Sequence, residues 1–130
     1  MTDEALAIVC DLTALSDDGR ERVIALSDTL FPMAREVREL PDGYALGYHD
    51  ASPELYSDLA EFIALHSVCC EFLRHGLVSD PGRGPVWLEF TGSQGAKEAI
   101  AGDLARFLSN DLAAAAGLTG ANPGVTVRRG

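Results

Sequence analysis

Apolar residues recur along the chain at two spacings, and the switches between them mark the expected elements. "ALAIVCDL" (5 to 12) is a short apolar run that predicts a buried strand with Cys10 near its end. From Ser16, an N-cap followed by Asp17 and Asp18, the spacing changes to threes and fours. Val23, Leu26, Leu30, Met33 and Val37 then form one stripe of a helix that Pro32 should kink or split near residue 31. "PDGYALGYH" (41 to 49) combines turn chemistry with Tyr44, Leu46 and Tyr48 at period two, predicting a strand entered through a turn.

Ser52-Pro53 starts a second helix whose seam runs Leu55, Leu59, Phe62, His66, Cys69. A strand should begin near Phe72 and turn at Pro81-Gly82-Arg83-Gly84 into another, where Val86, Leu88 and Phe90 alternate with Trp87, Glu89 and Thr91. A last helix is expected from about Ser93 through Ile100, Leu104 and Phe107 to about Ala116, with Gly117 as its stop. The predicted order is β-α-β-α-β-β-α, an α+β fold with helices on a small mixed sheet. It forms a single domain over 1–117, with 118–130 reading as a flexible tail.

Composition adds a setting. The 130 residues are 47% hydrophobic, enough for one core, and carry a formal charge of −10. That charge disfavours nucleic acid and anionic membrane as partners. No segment approaches the roughly 18 apolar residues of a membrane span, and no leader pattern opens the chain, so a cytoplasmic location is expected. Three cysteines cannot all pair within one chain, which points to at least one free thiol in a reducing compartment.

Cys69 and Cys70 form the most unusual feature. On a continuing helix, consecutive side chains diverge by about 100°, so both cannot enter the core as ordinary hydrophobes; at a helix end, which the strand expected near Phe72 allows here, the backbone can turn the two thiols together. His66 stands three residues before Cys69 and four before Cys70, the separation at which helix ligands grip one metal ion. At a helix carboxyl end the dipole raises a thiol pKa, which disfavours a bare nucleophile and leaves deprotonation to a metal. A bond between the two adjacent sulfurs would be strained. Plain packing is the competing reading, because free cysteine is often buried and inert.

The run "HSVCCEFLRHGLVSDPGRGPVWLEFTGSQGAKEAI" resembles a family of small uncharacterised bacterial proteins whose members tend to lie near heavy-metal or arsenic resistance genes. The pattern is Cys-Cys-x-Phe-Leu, then Gly-Pro-x-Trp-Leu-x-Leu-Thr-Gly and Gly-x-Lys-Glu. It falls here on Cys69, Cys70, Phe72, Leu73, Gly84, Pro85, Trp87, Leu88, Thr91, Gly92, Gly95, Lys97 and Glu98. An early cysteine and a Leu-x-DGY turn are similar too, at Cys10, Leu12 and Leu40 to Tyr44. Where the pattern has a Glu-Arg pair before the cysteines this chain has His66-Ser67. Glu71 stands in place of a proline, and His75 in place of an aromatic residue.

The resemblance implies a metal role for all three cysteines. Soft thiolates select soft ions, so Cys10, Cys69 and Cys70 converging with His66 would suit As(III), Hg(II) or Cu(I). Zinc would need a fourth ligand, for which His66 or His75 is available. The expected function is a thiol protein binding a soft heavy metal or metalloid such as mercury or arsenic, in resistance or homeostasis. A homodimer sharing ligands is compatible with it. Two alternatives stand: a thiol-dependent enzyme acting on an organometal or oxidant, and a non-catalytic interaction module with structural cysteines. No catalytic residue or organic cofactor site is assigned. Gly92, Gly95 and Lys97 lack P-loop spacing and read as helix capping, while His49-Asp50 reads as a solvated loop.

Overall fold

The Ser16 hydroxyl accepts the Gly19 amide and, with Asp17 and Asp18 in the first turn, starts the first helix, α1 (Asp17–Met33). The computed structural model describes residues 11 to 118 apart from Asp50, Arg83 and Gln94. The strand expected over 5–12 therefore lies outside the described residues except for its end, and that end is not strand. Asp11 caps a 3-10 turn, Leu12–Ala14.

Val23, Leu26 and Leu30 face the core of α1 as the spacing predicts, but Met33 is exposed and Val37 is not helical. Pro32 does not split the helix; it occupies the last turn, and the chain leaves helical geometry at Ala34. An unpredicted strand follows, β1 (Glu36–Leu40). It pairs antiparallel with β2 (Gly43–Tyr48) across the two-residue loop Pro41-Asp42. A Cβ on Gly43 would come within 1.8 Å of the Phe90 carbonyl oxygen, so only glycine permits the approach of β2 to its other neighbour.

The second helix, α2 (Pro53–Cys69), has Ser52 accepting the Leu55 amide and Pro53 at its start, as expected. Two strands follow, β3 (Leu73–Ser79) and β4 (Val86–Gly92), then α3 (Ala96–Phe107) and a short α4 (Asn110–Ala115). The single helix expected to Ala116 breaks at Leu108-Ser109, where the Ser109 hydroxyl caps the new start. Gly117, at φ 74°, supplies the stop.

The sheet is antiparallel throughout, in order β1-β2-β4-β3, not mixed. Both β1-β2 and β3-β4 are hairpins, and hairpins cannot produce parallel neighbours. The α+β class is correct, whereas the predicted order lacks β1 and the second C-terminal helix.

Tyr44, Leu46 and Tyr48 of β2 pair with Phe90, Leu88 and Val86 of β4 and form the buried floor on which the helices lie. Helices α2 and α3 contact the sheet, and α1 packs across both. On the opposite face Trp87 lies over Gly47, donates its indole N–H to Asp80 at 2.9 Å and is covered by the Arg38 guanidinium. The register places Leu73, His75 and Leu77 of β3 on the helix side, beside the end of α2. No helix among the described residues is long and apolar enough to cross a membrane.

Candidate metal centre

The end of α2 brings the chemistry together. Cys69 is its last residue, and Cys70 turns out of the helix at φ −122°, ψ 67° while its amide still bonds the His66 carbonyl at 2.8 Å. That turn cancels the divergence expected of adjacent helical side chains. The two Sγ atoms lie 3.8 Å apart, both buried, and His66 Nε2 is 3.3 Å from Cys70 Sγ. One donor atom from each of His66, Cys69 and Cys70 lies within 4.8 Å of the others, a group that can hold a metal ion.

His75 is not in that cluster. Its Nε2 is 2.7 Å from His66 Nδ1, so it stands behind the ring that faces the sulfurs. With the proton on Nδ1, His66 donates to His75 and presents a bare Nε2 lone pair to the Cys70 side, the usual arrangement behind a ligating imidazole. Of the two imidazoles offered for a fourth zinc ligand, His66 lies in the cluster and His75 is hydrogen-bonded to it. Phe62 stacks on the His66 ring at 4.7 Å, and Phe90 meets both imidazoles edge-on, at 5.9 and 5.6 Å.

Burial sets the protonation states. His66 is pushed from the ordinary value of 6.5 down to about 4, chiefly by burial and secondarily by its neighbour His75. Burial lowers His75 as well. The Cys69 thiol is raised, first by burial, with the Asp11 carboxylate adding to the rise against a lowering backbone hydrogen bond. At neutral pH the site presents neutral imidazoles and a protonated thiol, with no spontaneous thiolate.

Cys69 is a free thiol, whereas Cys70 is engaged in a disulfide. The free Cys69 agrees with the expectation of at least one free thiol, and the Cys70 disulfide must open before that sulfur can ligate. Cys10 lies outside the described residues. Its chain neighbour Asp11 is described, and the Asp11 amide donates to the Cys69 carbonyl at 2.7 Å.

The other sequence candidates are structural. The Lys97 ammonium donates to Glu39 Oε2 at 2.5 Å and to the Leu40 carbonyl at 2.9 Å, tying α3 to β1 instead of presenting a charge to an anion. Gly95, at φ 93°, forms the helix entry. His49 Nε2 contacts the Glu36 carboxylate on an exposed edge, and Asp50 lies outside the described residues. The His66-His75 bond was hidden in sequence because it joins a helix to a strand nine residues on. The alternation Leu73, His75, Leu77 was the signal that His75 would face inward.

Comparison of the chain with family models, with curated proteins and with solved structures finds no match.

The buried imidazole gives one prediction. His66 binds fewer protons in the fold than in the unfolded chain between pH 6.5 and about 4. Its contribution to stability is therefore complete above 6.5 and is lost as the pH falls toward 4, by up to about 1.4 kcal/mol per pH unit. Urea unfolding of the metal-free protein at pH 7, 5.5 and 4.5 should show this fall, and His66→Phe should flatten it. An equally steep fall in the variant would assign the acid sensitivity to other groups.

Proposed function

We propose that this protein binds a soft metal or metalloid ion, As(III), Hg(II) or Cu(I), as cargo through its cysteine thiols, in metal resistance or homeostasis. The convergence of His66 Nε2 and the Cys69 and Cys70 sulfurs in one buried cluster carries the reading. Once the Cys70 disulfide is open, two thiols and one imidazole form a soft donor set that disfavours magnesium or calcium. The Cys69 thiol is buried, and burial disfavours its bare thiolate, so deprotonation is coupled to coordination and binding releases a proton.

Cys10 is the third thiol in this proposal. Asp11, the residue that follows Cys10 in sequence, donates its amide to the Cys69 carbonyl at 2.7 Å, and this contact supports counting Cys10 among the ligands. Three sulfurs would suit As(III), and His66 would complete a four-donor set for zinc. An interaction module with inert cysteines would have no use for an imidazole held against them by a second imidazole. An enzyme acting through the same thiols would have to draw its proton carrier from these neutral imidazoles.

The disulfide at Cys70 supplies the test. Isothermal titration with As(III) should show one ion per chain after reduction by a phosphine. Binding should be weaker by roughly a hundredfold or more in the oxidised protein, where Cys70 and the sulfur bonded to it are withheld. Equal affinity in the two states would remove Cys70 from the site and contradict the reading.

A further inference from the structure

A cavity of about 540 Å³ opens beside the cluster between α1 and α3, and both His66 and Cys69 line it. Its walls are apolar, with Val23, Phe31, Leu104 and Phe107 among them. The rim residues Leu12, Ile24 and Phe107 are large, apolar and exposed, so the apolar lining continues to the surface. An inorganic ion needs no such space. A drug-sized apolar group is what a cavity of this volume accommodates.

The charges along the cavity narrow the ligand further. Asp28, Glu98 and Asp103 line it against a single Arg106, and the chain as a whole carries −10. That sign disfavours a fatty acid or any other apolar anion and favours a cation or a neutral molecule. We infer that the site takes an organo-substituted soft-metal cation of the organomercurial class, with the metal on Cys69 beside Cys70 and His66 and the organic group in the cavity, an inference that rests on the soft-ion reading of the same cluster. Loading is a ligand exchange without change of oxidation state. In R–Hg–OH + Cys69–SH → Cys69–S–Hg–R + H2O, the mercury–oxygen and sulfur–hydrogen bonds break. A mercury–sulfur bond forms, and the thiol proton leaves on the hydroxide as water. Cys69 is the free thiol, so this exchange does not require the Cys70 disulfide to open.

The test compares phenylmercury with methylmercury in competition with glutathione, which cancels the intrinsic strength of the mercury–sulfur bond. The phenyl group buries more apolar surface, so the protein should prefer phenylmercury by about tenfold or more beyond glutathione's own preference. Gly102 lines the cavity from α3, and a Cβ added there meets no atom within 4 Å, so a larger side chain has room. Gly102→Phe should remove the preference while leaving methylmercury binding intact, and Ala99→Phe, filling the same wall, should do the same. In the oxidised protein without glutathione, where Cys69 is the free thiol of the cluster, Cys69→Ser should abolish binding of both compounds. A phenyl preference no greater than glutathione's would overturn the cavity assignment and leave soft-ion binding standing. Failure of both compounds to bind at Cys69 would overturn both readings.

Discussion

Replacing Cys70 with serine lowers the affinity of the reduced protein for As(III) by roughly a hundredfold or more, because an oxygen cannot replace a thiolate toward a soft ion. Cys70 is fully buried, its sulfur lies 3.3 Å from His66 Nε2 and 3.8 Å from Cys69 Sγ, and it contributes one corner of the cluster. Titration of reduced wild type against Cys70→Ser measures the loss, with Cys70→Ala as a check that a buried hydroxyl is not responsible. Far-UV circular dichroism should be unchanged in the reduced proteins, since the α2 termination depends on the Cys70 amide and not on its sulfur. Undiminished affinity in both variants would mean that Cys70 is only a structural cysteine.

The largest stability effect is expected at Lys97. Its ammonium reaches Glu39, whose side chain is 9% exposed, while that of Lys97 is 24% exposed, so the pair is largely shielded from solvent. Lys97→Met takes the cation away from a largely shielded carboxylate and should cost about 1–3 kcal/mol. The double variant Lys97→Met, Glu39→Gln should recover much of that loss, because the neutral amide no longer requires a counter-charge. Urea unfolding decides the matter. A loss below about 1 kcal/mol would show that the pair behaves like an ordinary surface bridge.

Most of the frame that holds the site was legible in the sequence. Ser52-Pro53 and the seam from Leu55 to Cys69 locate α2, and the alternations in 44–48 and 86–90 locate the two central strands. The placement of His66 toward both cysteines follows from i+3 and i+4 spacing, and the structure has it so. β1 escaped because Val37 continues the spacing of α1, and Glu36, Arg38 and Glu39 leave that edge strand a faint apolar signal. The mixed sheet was a wrong expectation for the same reason. Without β1, the hairpin that makes β2 antiparallel to its neighbour is invisible.

The helix end at the cysteines was legible from the strand expected near Phe72, while the site's finer chemistry depends on contacts that local pattern does not encode. Cys70 leaves helical geometry by one residue, and this alone converts diverging side chains into converging sulfurs. That Cys70 is disulfide-bonded while its neighbour Cys69 is free is not something cysteine spacing fixes. The cavity beside Cys69 arises where α1 and α3 meet, two elements separated by most of the fold. Nor did the pattern show that Lys97 turns away from the helix entry toward Glu39.

Native mass spectrometry of the fully reduced protein with As(III), Hg(II), Cu(I) and Zn(II), repeated on Cys69→Ser and Cys10→Ser, tests soft-ion binding most directly. One soft ion retained per chain, with a proton lost for each thiol engaged and a weaker complex in each variant, is the predicted result. No retained ion, with the thiols alkylated only after denaturation, would contradict it and leave the cysteines as core.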